Sequence, residues 1–147
     1  MPEKPYRQDV NASIAVIERR GRLLICRRKA EDVLGGCWEF PGGKCEPDES
    51  WTQCLRRELR EELGIEVKAV APFGHMRARR VNGNGSIQFK VYRCTIAKGA
   101  PRPLAAEALR WVSPAELVAA DFPPANRRLI AKLKAIARQA ALNSITR

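Results

Sequence analysis

Residues 43–65 read GKCEPDESWTQCLRRELREELGI and hold six of the 16 acidic residues in a chain of net charge +11. The second half of this stretch places Glu58, Glu61 and Glu62 at positions i, i+3 and i+4, which brings three side chains onto one face of a helix. Like charges held this close repel one another, so the carboxylates either are hydrated or hold a cation between them. The rest of the sequence has to decide between these two interpretations.

The same stretch carries the signals of a helix over residues 51–63. Ser50 followed three residues later by Gln53 matches a capping box, and Gly64 suits the left-handed residue that ends a helix. Four large apolar residues form a stripe that we expect to face the core: Trp51, Leu55, Leu59 and Leu63. The acidic residues border this stripe, which favours the floor of a cleft over an open surface.

The length of 147 residues is close to that of one domain, and we expect a single domain over residues 1–147. No apolar run approaches the about 18 to 20 residues needed to span a bilayer. The start of the chain also has no apolar segment that could serve as a signal peptide. We therefore expect a cytoplasmic protein without a membrane partner, and a monomer rather than an oligomer.

The charged and metal-binding residue types narrow the function classes. Five cysteines without a CxxC pair, and His75 as the one histidine, favour neither a disulfide framework nor a zinc site. The pI of about 10.0 means that the chain attracts polyanions. Nucleotides, nucleic acid and anionic membrane surfaces all satisfy this condition, so charge alone does not choose among them.

Strand and helix signals are mixed along the chain. Apolar and β-branched runs predict strands in six places: residues 11–18, 22–28, 65–70, 73–77, 87–97 and 108–112. A turn is expected at residues 82–86, a short helix starting at Ser113 and Pro114, a rigid connector at 121–125, and an amphipathic basic helix over 126–142. This order favours an α+β fold in which helices pack on a mixed sheet, an α-β-α arrangement.

Together with its lead-in, the opening stretch matches the pattern G-x5-E-x7-R-E-U-x-E-E-x-G-U, in which U is aliphatic. The matching residues are Gly43, Glu49, Arg57, Glu58, Leu59, Glu61, Glu62, Gly64 and Ile65. This pattern is the Nudix box, and the chain resembles the Nudix hydrolases, which cleave nucleoside diphosphates linked to another group. The resemblance implies a mixed β-sheet sandwiched between α-helices, with the box as a loop-helix-loop that binds Mg²⁺ or Mn²⁺.

The chemistry of the carboxylates agrees with a metal-dependent hydrolase. Magnesium prefers hard oxygen ligands and keeps several waters, so a carboxylate cluster that leaves room for phosphate oxygens is a suitable holder. We predict Glu58, Glu61 and Glu62 as metal ligands, and one of them or a nearby carboxylate as the base that takes a proton from water. Arg57 completes the predicted catalytic set with Glu58 and Glu61.

The family pattern adds three assignments within the box. By resemblance, Gly43 belongs to the metal site, and Arg57 orients a box glutamate, which we take to be Glu49. Gly64, like Glu49, has a structural role. The sequence leaves open how many metals bind and which glutamate is the general base.

Three segments outside the box resemble the MutT branch of the family: Arg27-Arg28, residues 38–44 (WEFPGGK) and residues 121–126 (DFPPAN). MutT proteins hydrolyse oxidised purine nucleoside triphosphates to the monophosphate and pyrophosphate. The resemblance places Arg28, Phe40 and Asn126 in the substrate site. A carboxamide can pair with a purine edge, an arginine binds anionic oxygens, and an aromatic ring stacks on a base.

The match to MutT has two gaps. MutT has a further metal-binding glutamate six residues before its equivalent of Trp111. In this chain the corresponding residue is Ala105. Glu107 lies two residues later and could replace it only if the loop is shifted. Residues 77–86 also do not match the part of MutT that closes around the base, which leaves the preferred base open.

The predicted function is Mg²⁺-dependent hydrolysis of a nucleoside triphosphate to the monophosphate and pyrophosphate, with Mn²⁺ as a substitute metal and oxidised dGTP (8-oxo-dGTP) as preferred substrate. An alternative within the family is a CTP or broad dNTP pyrophosphohydrolase, because such relatives share WEFPGGK. An alternative of another class is a non-catalytic module that recognises oxidised guanine in DNA, as in adenine glycosylases, and the +11 charge would suit phosphate contacts. The intact box weighs against nucleic acid as the partner.

Overall fold

The structure is a computed structural model that describes residues 9–80 and 85–145. Its helices and strands are β1 (Val10–Arg19), β2 (Arg22–Arg27), β3 (Trp38–Glu39), β4 (Gly42–Lys44), α1 (Trp51–Leu63), β5 (Glu66–Arg79), β6 (Ser86–Lys98), β7 (Ala108–Val112) and α2 (Arg127–Ile145). Among these described residues, no helix combines the length and the apolar character needed to cross a membrane.

Strand β1 organises the sheet. It lies parallel to β6 and antiparallel to β2 and β4, while β5 extends the sheet beyond β6, and β3 and β7 both pair with β2. The sheet is therefore mixed, as predicted. The pairing of β4 with β1 places Gly42 opposite Ile14 and Gly43 opposite Ser13, so the start of the box is fixed to the central strand.

The two helices cover opposite faces of the sheet, each over its own apolar cluster. Leu55, Leu59 and Leu63 of α1 pack with Ala15, Ile17 and Tyr92 on one face. Leu129, Ile130 and Leu133 of α2 pack with Val16, Val91 and Phe40 on the other. Because residues 15 and 16 of β1 alternate between the clusters, the strand is buried on both sides. This arrangement confirms the predicted α+β fold with helices on a mixed sheet.

Helix α1 begins and ends as its sequence predicts. The Ser50 side chain accepts a hydrogen bond from the Gln53 amide at 3.1 Å, and the Gln53 side chain accepts from the Ser50 amide at 2.9 Å. Gly64 ends the helix in the left-handed conformation with φ 69°. The apolar stripe is buried at Leu55, Leu59 and Leu63, joined by Cys54, while Trp51 is half-buried.

The segment after α1 differs from the prediction. Residues 65–70 and 73–77 were expected as two short strands, but they form the single strand β5, which pairs with β6 along its length. Register shifts between Lys68 and Ala71 and between Pro72 and Gly74 mark bulges, which accommodate a proline inside a continuous strand. The turn predicted at residues 82–86 falls mostly on residues 81–84, which lie outside the described residues.

The connection from β7 to α2 consists of three short 3₁₀ turns: Pro114–Glu116, Ala119–Asp121 and Pro124–Asn126. The first corresponds to the short helix predicted at Ser113 and Pro114. The last ends at Asn126, directly before α2, so the predicted basic helix begins one residue later and extends to Ile145.

Candidate active site

Arg57 is the centre of a hydrogen-bonded cluster on α1. It donates from Nε to Glu49 Oε2 at 2.7 Å and from Nη2 to Glu49 Oε1 at 2.8 Å, a bidentate pair. Nη2 also donates to the Lys44 carbonyl oxygen at 3.0 Å. These bonds fix the loop before α1 against the helix. The Arg57 hydrogen bonds lower the pKa of Glu49 to about 2, so this carboxylate stays charged.

The remaining donor of Arg57 contacts two further box glutamates. Nη1 lies 3.0 Å from Glu58 Oε1 and 3.1 Å from Glu61 Oε2. Glu58 is nearly enclosed, with 14% of its side chain exposed, whereas Glu61 is 60% exposed. Arg57 therefore holds Glu58 inside the cleft and Glu61 at its rim.

Gly43 leaves room for the Glu58 carboxylate. A Cβ atom added to Gly43 would lie 2.4 Å from Glu58 Oε2, closer than two such atoms can approach. A larger residue here would displace the Glu58 carboxylate, whereas the backbone makes no demand for glycine, since the φ of Gly43 is not in the left-handed region. This contact gives a physical reason for the first glycine of the sequence pattern.

Glu62 lies deeper, one helical turn after Glu58. Its Oε2 accepts a hydrogen bond from the Gly42 amide at 3.2 Å. Burial, followed by the charge of Glu58, raises the pKa of Glu62 to about 8. Burial and the charge of Glu58 thus disfavour a second negative charge at Glu62, and a bound cation would stabilise that charge.

The donor atoms of these residues suit a hard divalent metal. The hard oxygens of Glu58 and Glu62 converge next to a glycine, the donor type that Mg²⁺ and Mn²⁺ prefer. Within residues 9–80 and 85–145, however, no three His, Cys, Asp or Glu side chains form a ready-made metal-binding group. Arg57 accounts for this, because it holds Glu61 at the rim. The structure thus brings two of the three predicted ligands together.

Arg28 and Glu39 form an ion pair that connects the predicted substrate site to the box. Arg28 Nη1 lies 2.9 Å from Glu39 Oε2, and its Nε donates to the Val33 carbonyl oxygen at 2.7 Å. Burial raises the pKa of Glu39, and the charge of Glu39 contributes in turn to the raised pKa of Glu62. Sequence reasoning missed Glu39, although it lies inside the quoted WEFPGGK segment.

Phe40 and Asn126 differ in accessibility. Phe40 is only 2% exposed, and its ring stacks on Phe122 with a centroid distance of 5.4 Å. The expectation that this ring stacks on a base therefore disagrees with the structure, because the ring belongs to the core between β3 and α2. Asn126 is half-buried in the turn before α2, and this turn contacts β5.

Glu107 does not take the position of a replacement ligand. Its carboxylate pairs with Arg27 at 4.0 Å and is 53% exposed, and its amide donates to the Arg27 carbonyl oxygen. Ala105 is exposed. The loop shift that would bring Glu107 to the box is absent from this conformation.

Comparisons with known proteins agree with this geometry. The NUDIX domain family model matches residues 7–133. The chain is 39% identical over 122 residues to the CTP pyrophosphohydrolase of Escherichia coli, covering 83% of this chain and 89% of that protein. It is 39% identical over 117 residues to a putative 8-oxo-dGTP diphosphatase 2 of Mycobacterium tuberculosis, covering 80% and 82%.

A solved structure shares both fold and sequence. The solution structure of the Escherichia coli ORF135 protein aligns with a TM-score of 0.74 and 36% identity over 91% of this chain and 93% of that one. The extent of these matches, together with the Arg57 cluster and the Glu58–Glu62 pair, shows that this chain belongs to the Nudix hydrolases, enzymes that act on nucleotide substrates and generally use a divalent metal.

Proposed function

We propose that this protein hydrolyses a nucleoside triphosphate to the monophosphate and pyrophosphate with Mg²⁺, and that 8-oxo-dGTP is its preferred substrate. The observation that carries the proposal is the pair of carboxyl groups of Glu58 and Glu62 beside the β4 glycines: Gly43 leaves space for the Glu58 carboxylate, and the Gly42 amide donates to Glu62. The negative charge of these carboxyl groups would repel the phosphates of a triphosphate. A cation therefore has to bind between them before the triphosphate can approach.

In this proposal Glu58, Glu61 and Glu62 hold the metal beside Gly43. Bound Mg²⁺, or Mn²⁺ in its place, would neutralise phosphate charge and lower the pKa of a coordinated water. Glu61 has to leave Arg57 to take part, and its exposure leaves it free to turn. Arg57 keeps Glu49 in position through a bidentate pair that does not involve the metal ligands, and its Nη1 donates to Oε1 of Glu58.

The attacking water needs a proton acceptor close to the metal. Glu58 and Glu61 are the proposed candidates, and Glu49 is excluded as a base because a carboxyl with a pKa of about 2 is too weak at neutral pH. General-base assistance contributes about 10²- to 10⁴-fold to a rate. Replacing the base should therefore reduce kcat by a factor in this range.

The base of the nucleotide is proposed to bind on the α2 side of the sheet. Asn126 offers a donor and an acceptor to a purine edge, and Arg28 has donors left beyond those used by Glu39 and Val33. Phe40 supports this site as a core residue beneath it, and any direct contact would come from its backbone. The segment DFPPAN, shared with MutT, favours oxidised guanine.

The proposal includes the setting of the activity. A single domain over residues 1–147 acts as a cytoplasmic monomer and removes oxidised dGTP from the precursors of DNA replication, which prevents damage that DNA repair would otherwise correct. The net charge of +11 supports attraction of a triphosphate.

CTP is the second candidate substrate. It is favoured by the similarity to the E. coli CTP pyrophosphohydrolase, which covers 83% of this chain. Both candidates use the same box, so they differ only in the contacts to the base.

A substrate panel tests the proposal. We expect pyrophosphate release from 8-oxo-dGTP with Mg²⁺ at a higher kcat/KM than from dGTP, the other dNTPs or CTP. A preference for CTP would replace the substrate and leave the chemistry in place. Absence of turnover with every triphosphate, combined with duplex DNA binding that persists at physiological salt, would instead support a DNA recognition module.

A further inference from the structure

Strand β6 carries a partly accessible aromatic residue on the sheet face that α2 packs against. On β6, Val91 is buried in the α2 cluster, whereas Lys90 lies over the Trp51 ring of α1, so odd-numbered residues of this part of β6 point to the α2 side. Phe89 is the next residue on that side, and it is half-buried. Its aromatic ring therefore lies on the α2 side of the sheet and is partly accessible.

The residues around Phe89 form an apolar surface. Its neighbour on β5 is Met76, which packs at the edge of the α2 cluster, and its neighbour on β1 is the small residue Ala12. Met76 also lines a cleft of about 130 Å³ with Leu129 at the start of α2. The turn that ends in Asn126 contacts β5 on this side.

The strand register gives the distance from this surface to the box. Lys44 of β4, Ala12 of β1 and Phe89 of β6 are paired in one row across the sheet. Two strand spacings of roughly 4.8 Å place Phe89 about 10 Å from Lys44, the residue after Gly43. This backbone separation is within the length of a nucleotide whose phosphates lie at Gly43.

We propose that Phe89 is the residue whose ring contacts the nucleobase, with Met76 beside it, and that it contributes to the affinity for the nucleotide. This inference rests on the proposed function, and it assigns to Phe89 the stacking that Phe40 cannot provide, because the Phe40 ring is 2% exposed. A ring face binds any base, so Phe89 supplies affinity, while polar groups such as that of Asn126 discriminate between bases.

The test compares Phe89→Leu and Phe89→Ala with Gln88→Ala, a matched control on the same strand whose side chain points to the α1 side. We expect KM for the preferred triphosphate and Kd for its monophosphate product, measured by calorimetry without metal, to rise at least about fivefold in Phe89→Ala. Phe89→Leu keeps an apolar side chain and should show a smaller rise in both. Gln88→Ala should leave both constants unchanged.

Inhibition by inorganic pyrophosphate separates loss of base contact from general damage. Its inhibition constant should stay at the wild-type value in both Phe89 variants, because pyrophosphate has no base. Unchanged Kd and KM in Phe89→Ala, or a wild-type protein that binds no nucleoside monophosphate, would overturn the inference. If the wild type hydrolyses no triphosphate but binds the monophosphate through Phe89, the proposed function fails and the inference stands.

Discussion

At the scale of single residues, Arg57 connects more of the box than any one carboxylate does. Its guanidinium contacts Glu49, Glu58, Glu61 and the Lys44 backbone, and these four contacts come from two sides of the loop-helix junction. A planar fork with five donors can satisfy this geometry, whereas an ammonium group on a flexible stem cannot. Arg57 is therefore a positioning residue in this account.

Arg57→Lys keeps the positive charge but loses the bidentate pair with Glu49. We expect kcat to fall at least about tenfold, because Glu58 is no longer held in the cleft, with a smaller change in KM. Steady-state kinetics measures both. Arg60→Lys, an exposed position on the same helix, serves as the control and should behave like the wild type. Wild-type kcat in Arg57→Lys would contradict the positioning role.

Gly43→Ala tests the space next to Glu58. The added Cβ would meet Glu58 Oε2 at 2.4 Å, so this carboxylate has to move, while no left-handed backbone is strained. We expect a large loss of activity at a nearly unchanged melting temperature. Thermal unfolding and pyrophosphate release on the same sample measure the two effects. Full activity would show that Glu58 does not need its observed position.

At the scale of elements, the ends of α1 were predictable because capping depends on residues close in sequence. Ser50, Gln53 and Gly64 form their hydrogen bonds within a few residues, so the sequence contains the whole signal. The predicted start of α2 at Asn126 lies one residue before the observed start at Arg127. The burial of Leu55, Leu59 and Leu63 followed from helical spacing alone.

Features that depend on distant strands were not predictable in the same way. Two strands were predicted at residues 65–70 and 73–77, but pairing with β6 continues one strand through bulges on both sides of Pro72, and only the partner strand decides this. Likewise Phe40 was expected to face the substrate, and its contact with Phe122, 82 positions later, places the ring in the core. The influence of Glu39 on Glu62 also depends on strand pairing rather than on sequence spacing.

The capping box makes a measurable contribution to α1. Ser50→Ala removes the acceptor for the Gln53 amide, and we expect the free energy of unfolding to fall by about 1 kcal/mol. Urea denaturation measures the change. Thr52→Ala, at an exposed position in the same turn, is the control and should change stability by much less. Equal effects of the two substitutions would contradict a specific capping role.

At the scale of the whole molecule, the site lies where the box and the central strand meet. Strand β1 carries Ile14 opposite Gly42 and also forms the core under both helices, so the position of the β4 glycines depends on the packing of the entire sheet. The global stability of the protein is thereby coupled to the protonation of Glu62, which accepts a hydrogen bond from Gly42.

Stability of the metal-free protein should fall as pH rises from about 4.5 to about 8. Over this range the folded state keeps the proton of Glu62, whose pKa is raised from 4.5 to about 8, whereas the unfolded state has released it. One retained proton changes the free energy of unfolding by at most about 1.4 kcal/mol per pH unit. Urea denaturation across this range measures the slope.

Glu62→Gln is the control, because an amide does not titrate in this range. The free energy of unfolding of Glu62→Gln should therefore change less with pH than that of the wild type, and the difference should correspond to one proton. Equal slopes in the two proteins would show that Glu62 has an ordinary pKa. Mg²⁺ should compete with the same proton and bind the wild type more tightly above pH 8 than at pH 6.

The most direct test measures pyrophosphate release by the wild type and by Glu58→Gln, both with Mg²⁺ and after chelation of the metal. Glu66→Gln is the control, because Glu66 is an exposed glutamate outside the box. We expect the wild type and Glu66→Gln to convert 8-oxo-dGTP with Mg²⁺ and to lose this activity after chelation. Glu58→Gln should be slower by about 10² or more. Full activity of Glu58→Gln would contradict the proposed role of the box carboxylates.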